Sequence, residues 1–271
     1  MKKKIYLIMI TIVVVGCVAA AYKFMQHEYR QNEKISQLNA QIKLLATEFE
    51  NKDLNIDFSE DSYNYLAIGN SITLHEICDY WWNECGMAAS EETEDYFHKL
   101  CKKLKDEYGE VSAYAYNFSV WEIMASDRAE TLEVLKPYLN PNLDLITVQL
   151  GENVSNLDEF ENDFKFLLEY ISENVPDCEV IVIGDFWEKA NRDSVKEDVC
   201  LRGGWRYVSL NEIKDSPEYE CGVNTTVYDE NGNEHVVVHS GVAAHPNDKG
   251  MSYIADAVFG VLKEEEKNVG N

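Results

Sequence analysis

The sequence predicts an α/β domain built on a parallel sheet, and three observations lead there. Four short apolar runs (residues 65–68, 111–116, 143–150 and 180–183) alternate with stretches of helical periodicity such as Leu132, Leu135 and Leu139, or Phe160, Phe164, Leu167, Leu168 and Ile171. Continuous apolar strands separated by amphipathic helices are the pattern of a sheet covered on both faces. With 271 residues, 45% of them hydrophobic and 27% charged, the chain has material for one sizeable core and one appendage. Finally, Gly, Asn and Ser cluster just past the runs, where parallel sheets bind their ligands.

Ahead of this body, Lys2, Lys3 and Lys4 precede an uncharged stretch over residues 5–22, and Lys23 closes it. That stretch is about the length needed to cross a bilayer. Basic residues stay on the cytoplasmic side, so residues 1–23 are expected to form a single-pass anchor in the cell membrane, with the rest of the chain on the extracytoplasmic side. Two alternatives stay open. Ala19, Ala20 and Ala21 offer small residues for signal-peptide cleavage, and Val14, Val15, Gly16 and Cys17 have the form of a lipidation box. The apolar run continues past Cys17 to Tyr22, which favours the anchor.

Residues 24–61 read as a helical stalk or linker, because Ile35, Leu38, Ile42, Leu45 and Phe49 recur at steps of three and four with no Pro or Gly between them. Such an a/d seam is short, and serves either a weak homodimer or a single amphipathic helix lying on the body. The body itself is placed at residues 62–265, with a tail at 266–271.

The net charge of −25 sharpens to −28 over residues 51–271, which hold 17 basic and 45 acidic residues. A domain this acidic cannot neutralise phosphates, which excludes nucleic acid as a partner, and anionic membrane surfaces repel it. The body carries Cys78, Cys85, Cys101, Cys178, Cys200 and Cys221, with no C-x-x-C pair. They are either three disulfides or small buried apolar residues. Neither they nor the six histidines fall into compact ligand spacings, so neither metal nor cofactor is expected.

The first run ends in Gly69-Asn70-Ser71. Glycine lets the chain turn sharply off a strand, and a Ser on that turn, at the expected start of a helix, exposes its hydroxyl and points its N–H at an incoming oxyanion. Ser71 is the candidate nucleophile, although Asn70 or Ser71 could serve only as a helix cap. The second run ends in Asn117-Phe118-Ser119 and the third in Gly151-Glu152-Asn153. Amides converging from such positions form an oxyanion hole, whereas each Asn alone is an ordinary turn residue. Near the C-terminus His245-Pro246-Asn247 precedes an amphipathic helix, which puts His245 on a loop as the candidate base.

Taken together, Gly69-Asn70-Ser71, Asn117-Phe118-Ser119, Gly151-Glu152-Asn153 and His245-Pro246-Asn247 make residues 62–265 resemble the SGNH (GDSL-like) hydrolase superfamily. The resemblance implies a flavodoxin-like three-layer α/β/α sandwich. It implies Ser71 as nucleophile, His245 as general base, and an oxyanion hole from the Ser71 and Ser119 N–H groups and the Asn153 side chain. Gly69, Asn70, Asn117 and Gly151 support them. Two departures stand out: Ser119 replaces a usual Gly, and Val242 occupies the position, three residues before the His, where the family carries its acid. Three readings follow. A backbone carbonyl or polar side chain orients the imidazole; a carboxylate reaches it from elsewhere, with Asp185, Asp248 and Glu234 as candidates; or the site has decayed.

The implied activity is a serine esterase working through a Ser71 acyl-enzyme on O-acyl, above all O-acetyl, esters of extracellular or cell-wall carbohydrate. The partner is then a small-molecule or polysaccharide ester. An O-acetyltransferase using the same residues, or a non-catalytic glycan-binding or scaffolding surface protein, are the alternatives. Trp81, Trp82, Trp121, Trp187 and Trp205 are either sugar-stacking platforms or core, with Trp81, Trp82 and Trp121 best placed.

Overall fold

The computed structural model describes Ile56 and residues 58–269, apart from 125–127 and 190, with side chains to residue 264. The expected anchor and nearly all of the expected stalk lie outside these residues. Among the described residues no helix is long and apolar enough to cross a membrane.

In chain order the elements are β1 (Tyr63–Gly69), α1 (Tyr96–Tyr108), β2 (Val111–Asn117), the short α2 (Ser119–Ile123) and α3 (Arg128–Thr131), which runs on into a 3-10 helix (Leu132–Tyr138). Then follow β3 (Leu145–Gln149), α4 (Phe160–Asn174), β4 (Glu179–Ile183), α5 (Arg192–Gly203), β5 (Arg206–Val208), a hairpin of β6 (Thr226–Tyr228) and β7 (Glu234–Val236), α6 (Ser240–Ala243) and α7 (Asp248–Val269). The first five strands form one parallel sheet in the order β2-β1-β3-β4-β5. This is the doubly wound order, with its switch point between β1 and β3. The four expected runs are all strands, within two residues of their expected ends.

One face of the sheet packs α1 and α7. Tyr65 and Ala67 of β1 meet Leu100 and Leu104 of α1 and Met251, Ile254, Ala255 and Val258 of α7 in a single buried cluster. Asp95 caps α1, its carboxylate accepting from the His98 N–H at 2.7 Å, a contact worth about 1 kcal/mol. On α4, Phe160, Phe164, Leu167, Leu168 and Ile171 are buried at helical spacing, and Trp121 joins Phe160 and Phe164 in an aromatic cluster.

A smaller second core lies beside the sheet, where Trp81, Cys85, Met87, Val227, Val237 and Val242 pack together. The β6–β7 hairpin and the segment between β1 and α1 build it. Neither β5 nor this hairpin is expected from the sequence, because three-residue strands leave no periodicity to read. Trp81 and Trp121 are fully buried and belong to the cores, which removes them as sugar platforms. The six body cysteines are all unpaired in this structure, and burial raises the thiols of Cys101 and Cys200 to about 12.

Candidate active site

The strand register brings the expected blocks level. Gly69 pairs with Asn117 on one side and with Gln149 on the other, so the residues following β1, β2 and β3 emerge at one edge, at the switch point. A Cβ on Gly69 would sit 1.8 Å from the Thr73 hydroxyl, so the turn closes only on glycine. The Thr73 and Leu74 N–H groups both donate to the Asn70 carbonyl at 3.0 Å, and Ile72 N–H donates to Asn70 Oδ1 at 3.0 Å. The chain therefore leaves β1 in one tight turn, and the helix expected after Ser71 does not form. Asp95 instead caps α1 more than twenty residues later.

Ser71 and His245 meet. Ser71 Oγ lies 2.8 Å from His245 Nε2, and His245 Nδ1 lies 2.7 Å from the Gly241 carbonyl oxygen. A carbonyl only accepts, so Nδ1 carries the proton and Nε2 is the acceptor for the Ser71 O–H. Burial drops the His245 pKa to about 4, a fall the Gly241 carbonyl opposes and the nearby His75 and His239 reinforce. The ring is therefore neutral at pH 7. Trp187 packs edge-on against it at 4.8 Å and is itself tied to the Ala244 carbonyl through Nε1 at 2.9 Å.

None of the three candidate carboxylates occupies the place of the acid. Asp185 is ion-paired with Lys196 at 2.7 Å and with Arg192 at 2.6 Å. The Arg192 contact is too poorly aligned to count as a hydrogen bond. Asp248 accepts from the Ser90 N–H at 2.7 Å and its hydroxyl at 2.6 Å, and Glu234 is exposed at the start of β7. Val242 points into the second core at 1% exposure. Of the readings left open by the sequence, the geometry matches the backbone carbonyl.

The oxyanion side is less uniform. The Ser71 N–H has no acceptor among the described residues. Ser119 takes no positive φ, so glycine is not needed there. Its N–H, however, already donates to Asn117 Oδ1 at 3.0 Å while Asn117 Nδ2 donates to the Leu74 carbonyl at 2.8 Å. In this structure Asn117 and Ser119 thus hold loops together. Asn153 is exposed on the loop four residues past β3, after Gly151 at φ +130°, a conformation glycine takes without strain.

Two groups here escape sequence reasoning. Glu122, 1% exposed, receives the Gly151 N–H at 2.6 Å and Asn153 Nδ2 at 2.7 Å. Beneath the same loop Glu152, Asp185, Arg192 and Lys196 are all buried. Arg192 donates to the Gly151 carbonyl at 2.7 Å and to the Glu152 carbonyl at 2.5 Å. Burial, then the neighbouring Asp185, pushes Glu152 well above the usual carboxylate range. Isolated Glu, Arg and Lys letters carry no periodic signal, so only the fold reveals Glu122, Arg192 and Lys196, and only the fold joins Asp185 and Glu152 to them. No group of three metal-ligating side chains occurs among the described residues.

Two surface grooves lie elsewhere, one beside Trp205 and Arg202 and one beside His98 and Lys102. Neither is lined by Ser71 or His245.

No protein-family model and no curated protein matches the chain. Among solved structures it is similar to a two-domain esterase active on acetylated mannans, at 12% identity and a TM-score of 0.50, over 75% of this chain and 50% of that one. A family two carbohydrate esterase from Clostridium thermocellum aligns at 14% identity and a TM-score of 0.48, over 76% of this chain and 64% of that one. A protein of Bacteroides ovatus named as a GDSL-like lipase aligns at 14% identity and a TM-score of 0.46, over 75% of this chain and 99% of that one. What the chain shares with the two-domain esterase, at this identity, is the parallel-sheet α/β fold.

Proposed function

We propose that the chain is a serine esterase that cleaves O-acyl, above all O-acetyl, esters of carbohydrate through an acyl-enzyme on Ser71. The observation that carries this reading is the relay from Ser71 Oγ to His245 Nε2 and from Nδ1 to the Gly241 carbonyl. It leaves a neutral imidazole with its lone pair on the serine hydroxyl, which is the general-base arrangement. Orienting the ring and fixing its tautomer are part of the acid's usual task, and a backbone carbonyl does both.

In the first step the Ser71 proton passes to His245 Nε2 as Oγ bonds to the ester carbonyl carbon. The Ser71 N–H and Asn153 Nδ2 donate to the oxyanion, in the manner of preorganised donors. Collapse breaks the bond to the leaving alcohol, which takes the proton from Nε2. Water then repeats the sequence and releases the carboxylic acid.

Acetylated polysaccharide is the first substrate class to try, since a fold neighbour acts on acetylated mannans. An aromatic rim supports it: Tyr80, 39% exposed, stacks on His239 at 4.4 Å, with His75 at 6.4 Å. In the same proposal residues 1–23 tether the body to the cell membrane on its extracytoplasmic side. The test is turnover of a small aryl acetate by the full chain beside Ser71→Ala, with labelling by a serine-directed fluorophosphonate. Turnover and labelling that both require Ser71 support the reading. An unlabelled, inactive wild type across pH 5–9 sinks it and leaves a glycan-binding surface protein.

A further inference from the structure

We infer that Glu122 fixes which end of the Asn153 carboxamide faces the reacting carbonyl, and so acts as a positioning residue for the oxyanion donor. This rests on the esterase reading. Glu122 sits on α2, five residues past Asn117 and fully inside the protein. Its Oε1 accepts from the Gly151 N–H at 2.6 Å, the Asn153 N–H at 3.2 Å and Asn70 Nδ2 at 3.2 Å, and its Oε2 accepts from Asn153 Nδ2 at 2.7 Å. One carboxylate thereby gathers the loop after β1 and the loop after β3.

The two ends of an Asn side chain have nearly the same shape, and only their partners decide which is which. Glu122 Oε2 accepts from Asn153 Nδ2, so the nitrogen end of the carboxamide is the one turned toward Glu122. One hydrogen of Nδ2 is held there and the second remains for an oxyanion. Glu122→Gln keeps the volume and reverses the logic. Three N–H groups pin the new amide oxygen at the Oε1 position, which leaves its NH₂ facing Asn153. Only Asn153 Oδ1 satisfies that NH₂, so the carboxamide turns over and presents the wrong end to the oxyanion.

The experiment compares wild type, Glu122→Gln, Asn153→Ala and the double variant, all as full chains in detergent, with an aryl acetate. Glu122→Gln is expected to lower kcat by about 10²- to 10³-fold, the loss typical of one oxyanion donor, with KM little changed. The double variant should be no slower than Asn153→Ala alone. Wild-type kcat in Glu122→Gln, or losses that multiply, overturn the inference. A second measurement is independent of turnover and of whether Glu122→Gln folds. In ¹⁵N-labelled wild type, the Asn153 side-chain amide, identified by its disappearance in Asn153→Ala, should show one downfield proton protected from solvent exchange. An amide exchanging as freely as an exposed one overturns the inference. If wild type has no Ser71-dependent turnover but this proton is held, the esterase reading fails while the hold of Glu122 on Asn153 stands.

Discussion

The two loops that meet above the sheet are held by opposite means. On the nucleophile side, the buried His245 ring packs against Trp187, and among the described residues its hydrogen-bond partners are Ser71 and the Gly241 carbonyl. On the oxyanion side, the Gly151–Asn153 loop is held by ionisable side chains: Glu122, and the buried cluster of Glu152, Asp185, Arg192 and Lys196. The difference matches what the proposed reaction asks of each side. A base must stay uncharged at rest, and burial achieves that by penalising the imidazolium. A donor loop must stay rigid while charge develops, and charge-assisted hydrogen bonds are the stiffest available tether.

The sharpest break in this comparison is Ser71→Ala, expected to lower aryl acetate turnover by about 10⁴-fold or more while leaving the thermal midpoint near wild type. Retained turnover would place the nucleophile elsewhere. On the ionic side, Arg192→Met strips two carbonyls and two carboxylates of their partner. Removing one member of a buried ion network costs about 3–5 kcal/mol, to be read from urea unfolding. A loss under 1 kcal/mol would show that the ions do not hold the loop.

Val242→Asp asks whether the missing acid can simply be restored. The side chain faces Trp81, Val227 and Val237, so the new carboxyl is buried without a partner. The expected result is a loss of at least about 2 kcal/mol of stability with no gain in kcat; a faster enzyme would show that the loop can turn toward His245.

The smallest effect is the most diagnostic. With the His245 pKa at about 4, against about 6.5 for an unperturbed histidine, the acid limb of kcat/KM should fall near pH 4. An acid limb near pH 6–7 would mean that a carboxylate does reach the ring. The sign for stability follows from the depressed folded pKa. Between these two values the unfolded chain binds the extra proton, so the contribution of this histidine is fully present above pH 6.5 and is lost as pH falls toward 4.

The sequence is informative where a signal repeats or falls in a fixed chain order. Four strands announce themselves by continuous apolar runs, and Ser71, Asn153 and His245 by their positions past strands or ahead of a helix. The short elements escape, because β5, β6 and β7 have three residues each. So does the role of Ser119, whose N–H is taken by Asn117, a local competition that residue types alone do not reveal.

The α/β class, and the candidacy of Ser71 and His245, which the fold brings within 2.8 Å, were legible in the chain alone, because hydrophobic periodicity and strand-end turns are local properties. Only the tertiary structure decided what stands behind them. The partner of His245 is a carbonyl four residues away and not a carboxylate, and the partner of Asn153 is Glu122, thirty-one residues distant. A backbone acceptor has no letter of its own, and a buried glutamate is written like an exposed one, so both become visible only when folding removes the water that would otherwise satisfy them.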